Sequence, residues 1–154
     1  MTVNVGDKAP DFTLPTDGGG SVTLSKLQGK PVVIYFYPKD DTTGCTAEAC
    51  GFRDIFPDYG KTGATVIGVS KDSVAAHDKF KAKYQLPFTL GSDGDGKVVE
   101  SYGVWIEKSL YGRKYMGIER TTFLIDKAGI IRHVWNKVKV AGHAADVLKA
   151  TEAL

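Results

Sequence analysis

The sequence has little cysteine: its 154 residues include only two, Cys45 and Cys50. So few thiols exclude a small scaffold held together by several disulfides. A chain of this length can bury a sufficient core without such bonds, and we expect residues 1–154 to form one domain. In a reducing compartment, two cysteines this close in sequence are more often catalytic or metal-binding than structural. The pair is therefore the first candidate for function.

Long apolar runs are also missing. No stretch approaches the roughly 20 residues that a membrane-spanning helix needs. The first seven residues lack the basic start and apolar core of a secretory signal. We therefore expect no membrane association and a cytoplasmic location.

No single charge sign dominates, because 20 basic residues face 18 acidic ones and the net charge is +2. Runs of Lys and Arg with interleaved aromatics are missing, so we expect no nucleic-acid partner. The three histidines, His77, His133 and His143, have no metal-ligand spacing to each other or to the cysteines. We interpret them as structural or exposed, and expect neither a metal nor another cofactor.

What is present is an alternation of strand and helix patterns. Seven segments have the apolar runs or period-two alternation of strands: 11–15, 21–24, 31–37, 64–70, 86–90, 121–126 and 130–135. Four segments have helical patterns: 45–59, with Gly60 as its stop, 73–84, 97–102 and 144–154. Residues 25–29 suggest one helical turn, and 103–117 is interpreted as a loop that ends in a short strand.

This order predicts an α/β fold. The first two strands, joined by Gly18–Gly20, predict an N-terminal β-hairpin. The alternation that follows predicts a partly parallel sheet, to which the late hairpin adds antiparallel strands. A mixed central sheet flanked by helices on both faces satisfies both.

Both cysteines lie where a strand leads through a loop into a helix, over residues 37–50. Cys45 is predicted in the first helical turn, where unpaired N–H groups and the helix dipole favour negative charge. A thiol there is expected to ionise more easily than a free one, and the thiolate is the nucleophilic form.

The motif Pro38-x-x-x-Thr42-x-x-Cys45 resembles the active-site motif of the peroxiredoxins. Cys50 and the segment 115–126, which contains Arg120, resemble the bacterioferritin comigratory protein or peroxiredoxin Q branch, and the match covers about residues 4–154. The resemblance implies a thioredoxin-like fold, usually a monomer. It also implies reduction of hydrogen peroxide and organic hydroperoxides, with thioredoxin or a similar dithiol protein as the reductant.

The resemblance also suggests roles. Cys45 would attack the peroxide, and the Thr42 hydroxyl would lie beside its sulfur. Arg120 would supply a fixed positive charge to the thiolate and the transition state. The N–H groups of Gly44 and Cys45 would bind the peroxide, and Pro38 would shield the sulfur from water.

Each role has a plainer alternative. Thr42 is also a possible helix N-cap, Pro38 a strand terminator and Arg120 a surface residue. Glu48 either complements the helix dipole as a first-turn acid or hydrogen-bonds near the site.

Cys50 is the candidate resolving thiol. In a continuous helix its Cα would lie about 8.5 Å from that of Cys45, with the side chains about 140° apart. Disulfides rarely tolerate more than about 7 Å. We therefore expect the first turns to unwind before a Cys45–Cys50 disulfide forms, helped by the flanking Gly44 and Gly51.

Three rival functions remain open. A thiol–disulfide oxidoreductase would normally use Cys-x-x-Cys, whereas four residues separate the cysteines here. A metal-binding protein of similar fold would use both cysteines and a histidine. A cysteine hydrolase would need a histidine base with an orienting Asn or Asp.

Overall fold

The computed structural model describes residues 3–154, so the first two positions of the predicted domain lie outside the described residues. The strands are β1 Thr13–Pro15, β2 Ser21–Thr23, β3 Val32–Phe36, β4 Thr65–Ser70, β5 Thr89–Ser92, β6 Trp105–Leu110, β7 Arg113–Ile118, β8 Thr121–Ile125 and β9 Ile131–Trp135. The helices are α1 Thr43–Asp54, α2 Phe56–Thr62, α3 Val74–Tyr84, α4 Lys97–Ser101 and α5 His143–Glu152. None of these helices is long and apolar enough to cross a membrane.

Five strands form the central sheet, in the order β5-β4-β3-β8-β9. β3 pairs in parallel with β4, which pairs in parallel with β5, while β8 and β9 add antiparallel partners. The mixed sheet and the late hairpin are therefore confirmed. The N-terminal hairpin is confirmed too, because β1 and β2 pair around a 3-10 turn at Asp17–Gly19.

Both faces of the sheet are covered, and β3 is therefore buried along its whole length. On one face, Val33 and Tyr35 belong to a core that includes residues of α1, α2, α3 and α5. On the other face, Val32 and Ile34 belong to a core with α4 and the β1–β2 hairpin. Continuous burial explains why this segment is an unbroken apolar run rather than an alternating one.

The sheet register determines where the site forms. Phe36, at the end of β3, pairs with Thr121, at the start of antiparallel β8. The residue before Thr121 is Arg120, so it lies at the same sheet edge from which the chain enters α1.

The single helix predicted over 45–59 is wrong. The chain breaks at Ile55 (φ −114°, ψ 14°) between α1 and α2. Pro57 explains the break, because it has no N–H to donate to the preceding turn. Gly60 lies inside α2, and the helix instead ends at Gly63, whose φ of +76° suits a C-terminal glycine.

The loop predicted over 103–117 is also wrong, because β6 and β7 form an antiparallel hairpin there. Its two-residue turn has positive φ at both Tyr111 (52°) and Gly112 (77°), as a type I′ turn requires. Because tyrosine is unusual at the first position of a type I′ turn, the sequence carries no clear sign of a hairpin here. The strand predicted over 86–90 is displaced as well: β5 begins at Thr89, not at Leu86.

Candidate active site

Cys45 is the third residue of α1, and its side chain is buried at 1% exposure. The first helical hydrogen bond runs from the N–H of Thr46 to the carbonyl of Thr42, at 2.8 Å. The N–H groups of Gly44 and Cys45 precede that bond, so the helix itself provides them with no acceptor. The sulfur therefore lies at the positive end of a helix, as the sequence predicts, in a site closed to bulk water.

Arg120 reaches this sulfur from the start of β8. Its Nη2 lies 3.3 Å from Cys45 Sγ, and its Nη1 donates to Glu48 Oε1 at 2.6 Å. A Cβ on Gly44 would lie 3.1 Å from Nη2, so glycine makes room for the guanidinium. The structure thus brings together Cys45, Glu48 and Arg120, which are called the active-site cluster below.

Glu48 is the least satisfied member of this cluster. It is 2% exposed, and its Oε2 has no hydrogen-bond partner. Burial raises the pKa of Glu48 to about 7, against the opposing effect of Arg120. Burial lowers the pKa of Arg120, but Glu48 and Cys45 outweigh it and the net shift is upward. The Arg120 guanidinium is therefore shared by the Glu48 carboxyl group and the Cys45 thiol.

Thr42 and Pro38 lie in the loop that leads from β3 to α1. Both are exposed, and the Thr42 hydroxyl donates to the carbonyl of Lys39 at 3.0 Å. Thr42 occupies the N-cap position of α1 but makes no side-chain capping bond. No hydrogen bond joins its hydroxyl to the Cys45 sulfur, so the expected contact does not exist in this state. Pro38 directly follows Tyr37, which is buried, in the loop between β3 and α1.

Pro38 lines a cavity of about 350 Å³ together with residues of the β6–β7 hairpin and Lys71. Lys108, in that lining, is half-buried. Its pKa is lowered, first by burial and then by Arg120, whereas Cys45 opposes the shift. No sequence pattern marks Lys108 as a site residue, because the prediction for its segment is a loop.

Cys50 lies in the same helix, half-buried, and neither cysteine is in a disulfide. Because α1 is continuous from Thr43 to Asp54, the helical separation of about 8.5 Å between the two Cα atoms applies. Gly51 faces α5, where an added Cβ would lie 3.6 Å from Ala144 Cβ.

The histidines separate into two buried and one exposed. His77 is fully buried and contacts Asp40, whereas His133 is exposed. His143 is buried beside the Thr122 hydroxyl, and burial lowers its pKa to about 4. None of them hydrogen-bonds to Cys45, which gives the hydrolase alternative no support.

Among residues 3–154, the possible metal ligands that come together in a group of three are Asp40, Asp72 and His77, with ligand atoms within 4.8 Å of one another. This group contains no cysteine. The metal-binding alternative, which requires both cysteines, gains no support from it.

Comparison with known proteins supports the resemblance to the peroxiredoxins over most of the chain. The AhpC/TSA family model matches residues 5–134. A putative peroxiredoxin bcp from Coxiella burnetii is 61% identical over 148 residues, 96% of this chain and 98% of that protein. Peroxiredoxin Bcp from Bacillus subtilis is 51% identical over 149 residues, 97% and 95% of the two chains.

Solved structures of peroxiredoxins superimpose on this chain as well. Peroxiredoxin Q from Xylella fastidiosa superimposes with a TM-score of 0.94 at 39% identity, over 99% of this chain and 98% of that one. The bacterioferritin comigratory protein of Xanthomonas campestris, studied for its alkyl peroxide reduction activity, gives 0.88 at 46% identity, over 92% and 90%. The thioredoxin-like fold is thereby confirmed. The chain belongs to the AhpC/TSA family, as a peroxiredoxin of the bacterioferritin comigratory protein and peroxiredoxin Q type.

Proposed function

We propose that this thiol-dependent peroxidase works by a two-cysteine cycle, with Cys45 as the attacking thiol and Cys50 as the resolving one. Peroxiredoxins reduce hydroperoxides at the expense of a thiol reductant, and in this chain these two cysteines carry the reaction. The observation that carries it is the 3.3 Å contact between Arg120 Nη2 and Cys45 Sγ at a helix N-terminus.

In the first step, the Cys45 thiolate attacks one peroxide oxygen. A sulfur–oxygen bond forms, the O–O bond breaks, and the departing oxygen leaves as water or an alcohol once it has gained a proton. Arg120 supplies positive charge to the sulfur and to the departing oxygen, and the free N–H groups of Gly44 and Cys45 supply further donors. Donors fixed before the reaction need no reorganisation as charge develops.

Thr42 and Pro38 contribute from the rim of the site. The Thr42 hydroxyl now donates to Lys39, and we infer that it turns toward the sulfur or the bound peroxide when substrate enters. A hydroxyl can donate to one group while it accepts from another, which suits a bridge between sulfur and peroxide. Pro38 offers no N–H to water and limits access.

In the second step, Cys50 attacks the Cys45 sulfenic acid, and a disulfide and water are produced. The helix must unwind first, because its geometry holds the two sulfurs apart. The break at Ile55 limits that change, because the 12 residues of α1 can unwind without continuing into α2. Gly44 and Gly51 lower the cost of leaving the helical state.

The cycle closes when an external dithiol reduces this disulfide through a mixed disulfide. Thioredoxin or a similar protein is the proposed donor. We propose further that residues 1–154 act as a single domain, as a monomer and in the cytoplasm, without a metal, another cofactor, a membrane or nucleic acid.

Intact mass after one equivalent of hydrogen peroxide tests this cycle, with a thiol-blocking reagent added at successive times. We expect a loss of two hydrogens and no label, and in Cys50→Ser a gain of one oxygen at Cys45. Rapid gain of oxygen in the unmodified chain, with Cys50 still labelled, would contradict the role of Cys50. Oxidation that persists in Cys45→Ser would contradict the role of Cys45.

A further inference from the structure

A second buried cluster of charge adjoins the entry to α1. Asp40, in the loop between β3 and α1, accepts a hydrogen bond from the Tyr37 hydroxyl at 2.5 Å on Oδ1. Its Oδ2 lies 2.7 Å from Nδ1 of His77, a residue of α3. The other ring nitrogen of His77, Nε2, lies 2.9 Å from the carbonyl of Gly91 in β5. His77 is fully buried, and Asp40 is 9% exposed.

The partners of His77 fix its protonation. A carbonyl oxygen only accepts, so Nε2 must carry a hydrogen. A carboxylate also only accepts, so Nδ1 must carry one as well. With both nitrogens protonated the ring is a buried imidazolium, and its charge is balanced by Asp40. A neutral ring would leave one nitrogen lone pair facing an acceptor, either the Asp40 carboxylate at Nδ1 or the Gly91 carbonyl at Nε2.

The same loop is held at two further points. The N–H of Asp40 donates to Asp72 Oδ2 at 2.8 Å, and that oxygen also accepts from the Ser70 hydroxyl at 2.5 Å. The next residue, Asp41, has a φ of 59° and accepts from Tyr84 and Lys83 of α3. The loop from Pro38 to Asp41 is thus tied to α3 immediately before Thr42 and the first turn of α1.

We propose that His77, in its doubly protonated form, is a positioning residue for the peroxidase reaction: through Asp40 it fixes the loop that places Pro38, Thr42 and the N-terminus of α1 around the Cys45 sulfur. Loss of its proton, or of the side chain, releases this loop and slows attack on the peroxide. The inference rests on the proposed role of Cys45.

The charges around His77 determine the direction of its pH response. Among the described residues, it faces Asp40 from the β3–α1 loop, Asp72 from the β4–α3 loop, the Tyr37 ring from the end of β3 and the Gly91 carbonyl from β5. Burial lowers the pKa of His77, but the hydrogen bond and charge of Asp40 outweigh it, and the net shift is upward from 6.5. The shift therefore favours the imidazolium, the form that the hydrogen-bond partners require, and this form is lost as the pH rises.

Nitrogen NMR of the reduced protein tests the protonation directly and does not depend on Cys45. At pH 7 we expect two protonated ring nitrogens for His77, assigned by their loss in His77→Asn. A singly protonated ring at that pH would overturn the proposal.

Single-turnover oxidation of Cys45 by hydrogen peroxide, followed from pH 6 to 10, tests the positioning. Asparagine keeps an N–H that can point at Asp40 but does not titrate. We expect His77→Asn to react about tenfold more slowly at pH 7, because small misplacements around a reacting atom cost rate. Any fall in rate that accompanies His77 deprotonation in the unmodified chain should be absent from this variant.

His133→Asn, at an exposed histidine, is the matched control and should keep the rate and the pH profile of the unmodified chain. A folded His77→Asn with unchanged rate and profile would overturn the proposal. If Cys45 is not the peroxide-reactive thiol, its oxidation is already missing from the unmodified chain, so that failure is distinguishable from this one.

Discussion

The two buried charge clusters that flank the β3–α1 loop differ in how completely they are hydrogen-bonded. In the histidine cluster (Asp40, Asp72 and His77), both carboxylate oxygens of Asp40 and both ring nitrogens of His77 have partners. In the active-site cluster, Glu48 Oε2 has none, and Arg120 is shared by Glu48 and Cys45. The neighbouring Tyr35 hydroxyl is also unpartnered, and its pKa is raised by burial and by Glu48.

The difference in hydrogen bonding corresponds to a difference in role, between a cluster that holds the structure and a cluster whose charge changes. A fully satisfied polar network in a low-dielectric interior is rigid and costly to break. An incompletely satisfied one costs stability, and such sites often have a functional cause. Here the unsatisfied cluster surrounds the sulfur whose charge changes during the reaction, and the satisfied one holds the loop beside it.

The largest effect is expected at Arg120. Arg120→Lys keeps the positive charge but cannot bond Glu48 and the sulfur from one planar fork. We expect the rate of Cys45 oxidation to fall by about 10² to 10³, the usual result of removing one preorganised donor. Stopped-flow peroxide reduction would measure it, with Arg132→Lys at an exposed arginine as the control. A loss of less than about threefold would contradict the role given to Arg120.

The next effect concerns stability and falls on the histidine cluster. Asp40→Asn places a neutral amide between the donors of Tyr37 and His77 and removes the partner of a buried cation. We expect a loss of about 3 kcal/mol in the free energy of unfolding, as is usual when a buried ion pair loses one member.

Asp41→Asn is the matched control for Asp40→Asn. Asp41 pairs with Lys83 on the surface, and asparagine tolerates its positive φ. The Tm of the Asp41→Asn variant should barely differ from that of the unmodified chain. Equal losses for the two variants in urea titrations would mean that burial and full hydrogen bonding do not make Asp40 more important for stability than a surface carboxylate.

Glu48 should make stability depend on pH. Its folded pKa of about 7 lies above the ordinary 4.5, because burial favours the neutral acid. The stabilisation from neutral Glu48 is therefore complete below pH 4.5 and is lost as the pH rises through 7. The rise of roughly 2.5 units in the pKa of Glu48 corresponds to about 3 kcal/mol of stability in full, of which about two fifths is lost between pH 6 and 8.

Glu48→Gln removes this titration. Relative to the unmodified chain, the variant should gain stability between pH 5 and 8, while exposed Glu100→Gln should not. Parallel pH–stability curves for Glu48→Gln and the unmodified chain would show that Glu48 does not titrate in this range.

The smallest effect is expected at Gly51. A Cβ there meets Ala144 at an ordinary 3.6 Å, so alanine should fit. Alanine should favour the helical state of α1 by about 0.5–1 kcal/mol and slow disulfide formation by two- to fivefold. The attack on peroxide should keep its rate. Gly60→Ala, in α2 with no heavy atom within 4 Å of its added Cβ, is the control, and an equal slowing there would remove α1 unwinding as the cause.

Local pattern predicts much of this fold from the sequence. Buried runs such as 31–37 and 64–70 correspond to β3 and β4, and Ser73, the first residue of the helix predicted over 73–84, is the N-cap of α3. The β6–β7 hairpin is missed because exposure of both faces of β7 removes the alternation that marks a strand. The break at Ile55 is missed because Pro57 sits inside an otherwise helical pattern.

Less of the active site than of the fold can be predicted from local sequence patterns. The first-turn position of Cys45 follows from the strand–loop–helix order. Arg120 lies 75 residues from Cys45 in the chain, and only the family resemblance predicts it as a site residue. The β3–β8 register supplies the physical reason that the two meet. No local pattern joins Asp40 to His77 over 37 residues, so the histidine cluster emerges only from the fold.

Oxidation is expected to release α1 while the loop tied to His77 stays fixed. Amide hydrogen exchange in the reduced and the peroxide-oxidised protein measures both regions at once, with Cys50→Ser as the variant that cannot form the disulfide. We predict that residues 43–54 lose protection on disulfide formation and that α3 around His77 keeps its protection. Unchanged protection of α1 in a protein whose mass proves a Cys45–Cys50 disulfide, or equal loss in both regions, would contradict the account.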